Sequence, residues 1–147
     1  MIINSVGVPN SQAGLGNLSV VAIGNPAAGA AFNYVVPACV RARFRSLALN
    51  LQSSVAAANR QVFLQLQDGA GNVLSETSPV LNQAASLNIR WIFSLGGVQF
   101  APVALFTDAL HTLPAVDMLT GWKIVCLVSA IQAADQISAI QIVQELF

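Results

Sequence analysis

The sequence predicts an all-β fold: a single antiparallel β-sandwich of about eight strands, with an extended N-terminal arm. Three observations carry this expectation. Apolar residues recur with a period of two in several short runs, the spacing that places alternate side chains on one face of a pleated strand. Turn signals rich in Gly, Pro, Asn and Asp separate these runs at intervals of roughly ten residues. No convincing helical stretch lies between them. Many short strands so spaced form a sandwich or barrel, and eight of them in two sheets fit a jelly roll.

The chain has 147 residues, a single domain by length. A chain of this size buries roughly 70% of its unfolded surface, so a full core is possible without disulfides or metals. We expect residues 1–30 to form an arm and residues 31–147 the sandwich.

Residues 1–40 carry no charged side chain. Gly7, Gly14, Gly16, Gly24 and Gly29 oppose a helix there, each costing about 1 kcal/mol relative to Ala. The segment also lacks the net charge of a disordered tail. It reads as an extended arm with one or two strands on a neighbouring surface, or as a first strand and loops of the same subunit. Leu18–Ile23 is its apolar run.

Phe32–Val36 is a short strand stopped by Pro37, which cannot donate to a ladder. Val40–Gln52 is a long strand with awkward parity. Arg43 and Arg45 share the face of Leu47, Leu49 and Leu51, while Phe44 sits opposite. A bulge near Arg45–Ser46 reconciles the two halves by shifting the register by one residue. Ser53–Asn59 is a loop and Arg60–Asp68 the next strand, with Val62, Leu64 and Leu66 alternating with Phe63, Gln65 and Gln67. Asp68-Gly69-Ala70-Gly71-Asn72 has the glycine content of a hairpin turn. Val73–Ser78 returns.

Ser86–Leu95 is the clearest alternating run, with Leu87, Ile89, Trp91, Phe93 and Leu95 on one face. Phe100–Phe106 reads as a further strand, and Asp108–Leu113 as a short turn or strand. Trp122–Ala130 follows, with Trp122, Ile124, Cys126 and Val128 on one side. Ile137–Phe147 closes the chain and is apolar on both faces, as suits the middle of a sheet or a subunit contact.

Composition bounds the partners. Apolar residues make up 55% of the chain and charged residues only 8%, against about 25% in an average soluble domain. Formal net charge is zero. A lone monomer with so little charge is prone to association, so much of the surface is expected to be covered by other subunits. The alternative is a surface made polar by Asn, Gln, Ser and Thr. Six basic residues matched by six acidic ones cannot neutralise many phosphates, which argues against nucleic acid. No secretory signal is visible at Met1–Asn10. No apolar stretch is long enough to cross a bilayer as a helix, so no membrane partner is expected. Cys39 and Cys126 are too few for a disulfide framework. They are expected reduced and partly buried.

The candidates for chemistry are sparse. The sole histidine, His111, has Asp108 three residues away, but no GxSxG elbow is present. We read it as a surface or interface residue rather than part of a Ser-His-Asp set. The six acids form no pair suggestive of glycoside chemistry. Cys39, His111 and Cys126 do not suffice for zinc. The Asp68–Asn72 turn lacks the later acidic ligands of a calcium loop. No cofactor, metal or catalytic site is therefore expected. Trp91, Phe93 and Trp122 read as core, the alternative being a sugar-stacking platform.

Four of the basic residues, Arg41, Arg43, Arg45 and Arg60, lie together and are the candidate interface. Arginine suits a dehydrated contact because its planar fork binds carboxylate bidentately. The competing reading pairs them internally with Asp68, Glu76 or Asp117.

Two blocks, Val36–Leu74 and Leu113–Phe147, carry a resemblance. Val36-Pro37, Arg41–Arg45, Ala58-Asn59-Arg60, Asp68-Gly69, Leu113-Pro114, Gly121-Trp122 and Gln132–Gln136 occur in an order that resembles small virion proteins of tailed bacteriophages, the capsid decoration or cement type. Ala38-Cys39 departs from the Gly-Lys pair common after the Val-Pro start. The resemblance implies a jelly-roll-like, non-enzymatic homotrimer bound to the major capsid protein on the outer surface of the virion, assembled in the host cytoplasm. A tail or head-fibre component carrying a glycan-binding module is the alternative it allows.

Overall fold

The structure, a computed structural model, describes residues 16–38, 41–77, 81–95, 108–113 and 116–147. Among them it contains ten strands: β1 (Asn17–Ile23), β2 (Phe32–Val35), β3 (Ala42–Gln52), β4 (Gln61–Gln67), β5 (Val73–Glu76), β6 (Asn88–Leu95), β7 (Asp108–Leu113), β8 (Asp117–Met118), β9 (Lys123–Ser129) and β10 (Gln136–Leu146). One sheet runs β1-β10-β3-β6-β7, with the short β8 also pairing β3, and the other runs β2-β9-β4-β5. The two sheets pack as a sandwich. The expected strand at Phe100–Phe106 lies outside the described residues, as does Cys39.

Period-two burial assigns each strand its inner face. Leu47, Leu49 and Leu51 of β3 meet Val62 and Leu64 of β4, Ile89, Trp91 and Phe93 of β6, Ile124 and Cys126 of β9 and Ile137, Ile140 and Ile142 of β10 in one core cluster. Each large apolar side chain so buried is worth about 1.5–3 kcal/mol.

The bulge expected near Arg45 is present. Ser46 pairs Val143 and Phe44 pairs Gln144, which leaves Arg45 as an extra residue in β3. Phe44 and Ala42 therefore face inward with Leu47, while Arg43 and Arg45 turn outward. A second irregularity interrupts β10: Ser138 pairs Asn50 and Gln141 pairs Ala48, with Ala139 in the left-handed region at φ 51°. Ile137 is thereby brought to the same inner face as Ile140 and Ile142. The two-faced apolar pattern of the last strand is in large part this bulge, seen in sequence as a change of phase. β10 does lie inside its sheet, between β1 and β3.

One pairing departs from the antiparallel expectation. β7 runs parallel to β6, from Arg90 opposite Asp108 to Leu95 opposite Leu113. Parallel neighbours need a crossover of about a dozen residues, and the chain between Leu95 and Asp108 lies outside the described residues. β1 falls within the stretch read as an arm, and pairs along its whole length with β10 of the same chain. Residues 1–15 of that stretch lie outside the described residues.

The β4–β5 connection closes as expected. Gly71 has φ 92°, which a side chain would strain. The Asp68 carboxylate accepts hydrogen bonds from the Ala70 and Asn72 amides and from the Asn72 side chain. Those bonds, the Asn72 side chain's first, hold the Asp68 carboxyl below its usual range. Both its oxygens serve the turn.

Candidate interaction surface

The arginines separate into an exposed group and a buried one. Arg43 pairs across strands with Asp117 of β8. Its Nε and Nη2 donate to the two Asp117 carboxylate oxygens at 2.7 and 3.2 Å. This bidentate bond lowers the Asp117 carboxyl and raises the Arg43 guanidinium. Arg41 stands 4.0 Å from the same carboxylate, beyond hydrogen-bond reach. Both guanidinium groups lie over the Phe147 ring, 5.2 and 5.3 Å from its centre. Arg45, thrown outward by the bulge, pairs with Glu145. Exposed pairs of this kind add little stability. Their effect is to present a fixed, nearly neutral rim of guanidinium and carboxylate groups at one end of the six-stranded sheet.

Arg60 does not belong to that surface. Its side chain is fully buried, as is that of Asp135. Arg60 Nε and Nη2 donate to Asp135 Oδ2 and Oδ1 at 2.8 and 2.9 Å. Arg60 Nη1 donates to the Ala58 carbonyl, and Nη2 also to Ser54 Oγ. The Ser54 and Gln132 amides donate to the two Asp135 oxygens. Burial alone would raise the Asp135 carboxyl, but Arg60 and the two amides outweigh it and hold it well below the usual carboxylate range. Arg60 is thus an internal pair, as the competing sequence reading held, though with a partner that reading did not name.

A second buried polar group adjoins the pair. Gln83 exchanges backbone hydrogen bonds with Arg60, donates from its amide to the Leu51 carbonyl and accepts from Trp91 Nε1 at 2.9 Å. Ser53 Oγ donates to the Ala84 carbonyl and accepts from the Leu87 amide. Gly29, at φ 72°, donates its amide to the Asp135 carbonyl, and a Cβ there would lie 2.9 Å from Ala133 Cα. These bonds tie the 27–30, 53–60, 81–87 and 130–136 segments into one closed end.

His111 is a correction. It is not a surface residue: it is buried on the inner face of β7, stacked on Trp91 and Phe93 with ring centres 5.3 and 4.8 Å away. The parallel register sets it opposite Phe93. Asp108, three residues earlier on the same strand, points to the other face. Trp91 and Phe93 are fully buried and Trp122 half-buried against the core, as expected. Cys126 is a free, buried thiol, and burial pushes its pKa up. Among the described residues no three His, Cys, Asp or Glu side chains gather as metal ligands. An open groove of about 340 Å³ between residues 52–55 and 86–88 is lined without a titratable side chain.

What remains is apolar surface. Leu18 and Val20 of β1 are each 65% exposed, and Val35, Val73, Leu74 and Leu119 are also exposed. On the outer face of the larger sheet, Val20 adjoins Val143, and Ala48, Ile92 and Leu110 form a row across β3, β6 and β7. On the outer face of the smaller sheet, Phe63 pairs Leu127 beside Val125, flanked by Gln61, Gln65 and Gln67. Comparisons with protein-family models, with curated proteins and with solved structures find no match to this chain.

Proposed function

We propose that the chain is a structural virion protein of a tailed phage: a homotrimeric capsid decoration protein that binds the major capsid protein from outside and stabilises the shell. The observation that carries this reading is the surface. Of the few charged groups, Arg60 and Asp135 are consumed inside, and the outer strand faces present Leu18, Val20, Val35, Val73 and other apolar side chains, with Glu145 beside Leu18 and Lys123 beside Val35 as the charged neighbours on their paired strands. Such faces lower the free energy when they meet other protein at about 25 cal/mol per Å² in gross terms, from which ordering costs are subtracted. Threefold attachment multiplies weak individual contacts through effective concentration. The Arg41, Arg43 and Arg45 rim supplies orientation, since charged rims set register more than affinity.

An enzymatic role draws no support from His111, which is sealed in the core away from Asp108. A glycan platform draws none from Trp91, which is fully buried, and Trp122 is half-buried against the core.

Sedimentation of the purified protein at micromolar concentration, followed by co-sedimentation with empty phage heads, tests the reading. A trimer that binds heads and raises their resistance to heat is the expected result. A monomer indifferent to heads would overturn it.

A further inference from the structure

We propose that β1 is a two-fold contact between copies of this chain, pairing edge to edge with β1 of a second copy in an antiparallel register centred on Val20. Among the described edge strands, β2 and β5 have four residues each and β7 carries Asp108, whereas β1 has seven residues with no charge, proline or glycine. Its inner neighbour is β10, and among the described residues no strand pairs its other edge. Edge strands left bare in this way are templates for another strand unless a charge, a proline or a bulge protects them.

Both faces of β1 are also incompletely covered. Leu18 and Val20 project from the outer face at 65% exposure. On the inner face Val21 and Ile23 are only half-buried. The reason is the mismatch between sheets. Tyr34 of β2, the edge of the smaller sheet, hydrogen-bonds Gln144 of β10, so β1 lies one strand beyond the facing layer. A second β1 would satisfy the free backbone edge, cover Leu18 and Val20 from the side, and extend the inner apolar row formed by Val21 and Ile23.

The second copy is the occupant that fits, because the strand is complementary to itself. A two-fold axis normal to the sheet keeps outer faces together and sets Leu18 beside the partner's Ala22, a large residue against a small one. Only the register centred on Val20 pairs all seven residues. No like charges meet, since the strand has none. The contact is isologous, so it joins copies in pairs and is separate from any threefold contact; on a shell it would link neighbouring trimers. It needs no capsid, and it is testable on the free protein.

Cysteine cross-linking in a Cys39→Ser background reads the register directly. Opposed residues in an antiparallel pair have Cβ atoms about 4.5–5.5 Å apart, close to disulfide range. Val20→Cys should therefore form a covalent dimer with itself on mild oxidation. Leu18→Cys alone should not, because its copies lie about 14 Å apart in this register. A mixture of Leu18→Cys and Ala22→Cys proteins should form the mixed dimer. Val20→Lys should weaken self-association through this edge at least about tenfold, with an unchanged circular dichroism spectrum because the side chain is exposed. Failure of Val20→Cys to cross-link, or equal cross-linking of Leu18→Cys alone, overturns the contact. Loss of head binding with β1 cross-linking intact would count against the capsid reading only.

Discussion

Arg60 and Asp135, 75 positions apart in sequence, form a bidentate ion pair with both side chains shielded from water. The pair is satisfied on all sides: Asp135 accepts from Arg60, Ser54 and Gln132, and Arg60 donates also to Ala58 and Ser54. Removing one partner leaves the other charge buried without compensation, which costs about 3–5 kcal/mol. Arg60→Met and Asp135→Leu should each lower the unfolding free energy by about that much in urea titrations. The double variant should lose less than the sum, because it buries no orphaned charge. Additive losses would mean that the two groups act independently.

The same carboxylate sets the acid limit of the fold. Its folded pKa lies below the ordinary value, because Arg60 and two amides outweigh the effect of burial. The stability it contributes is therefore complete above the unfolded value, about 3.9, and is lost as pH falls from there toward the folded value. Asp117 and Asp68 shift in the same direction at exposed positions, and add less. Thermal unfolding midpoints should be level near neutrality and fall steeply below about pH 4. Asp135→Asn should be less stable at pH 7 and show a shallower acid decline. An equal decline in wild type and variant would remove Asp135 from the account.

His111 offers a test of core packing against chemistry. Its ring fills the space beside Trp91 and Phe93. Truncation to Ala opens a cavity there and should cost about 2–4 kcal/mol, within the range of large-to-small core changes. Phe, of similar shape, should recover part of that loss. Under the proposed function, binding to phage heads, measured below the unfolding midpoint, should be the same in all three proteins. A loss of binding in the well-folded Phe variant would show that the imidazole has a role beyond packing.

The legible parts of the fold were those with local causes. Alternation placed Leu47, Leu49 and Leu51, Val62 and Leu64, and Ile124 and Cys126 correctly on inner faces. The phase conflict between Phe44 and Leu47 located the bulge at Arg45. Arg60 had a signal of its own, since it shares parity with Val62, Leu64 and Leu66 and so points inward. An inward arginine requires an acid, but nothing local singles out Asp135, which reaches it only when the 130–136 turn meets the 53–60 loop. His111 reads as a surface residue in sequence because Asp108–Leu113 suits a turn as well as a strand. The parallel β6–β7 pairing makes it a strand and sets Ala109 and His111 inward. The exposed arginines were recognised as a group, and their partners Asp117 and Glu145 come from strands remote in sequence.

The Arg45 bulge separates the role of a side chain from that of a backbone position. Arg45→Ala removes one exposed ion pair and leaves the extra residue in place, so stability should change by no more than about 0.5 kcal/mol. Deleting Arg45 restores an unbroken alternation from Ala42 to Gln52. In that alternation Ala42, Phe44, Leu47, Leu49 and Leu51 all keep the inner face, because Arg45 is the residue that interrupts it. Phe44 opposite Gln144 and Ser46 opposite Val143 become consecutive pairs, so the ladder to β10 closes there without a bulge. The Arg43–Asp117 bond and the β3–β8 pairing are kept. The deletion should therefore unfold in urea within about 1 kcal/mol of wild type, with the Arg45–Glu145 pair lost as in Arg45→Ala. A deletion much less stable than Arg45→Ala would show that the two halves of β3 need the extra residue itself, and not only its accommodation in a bulge.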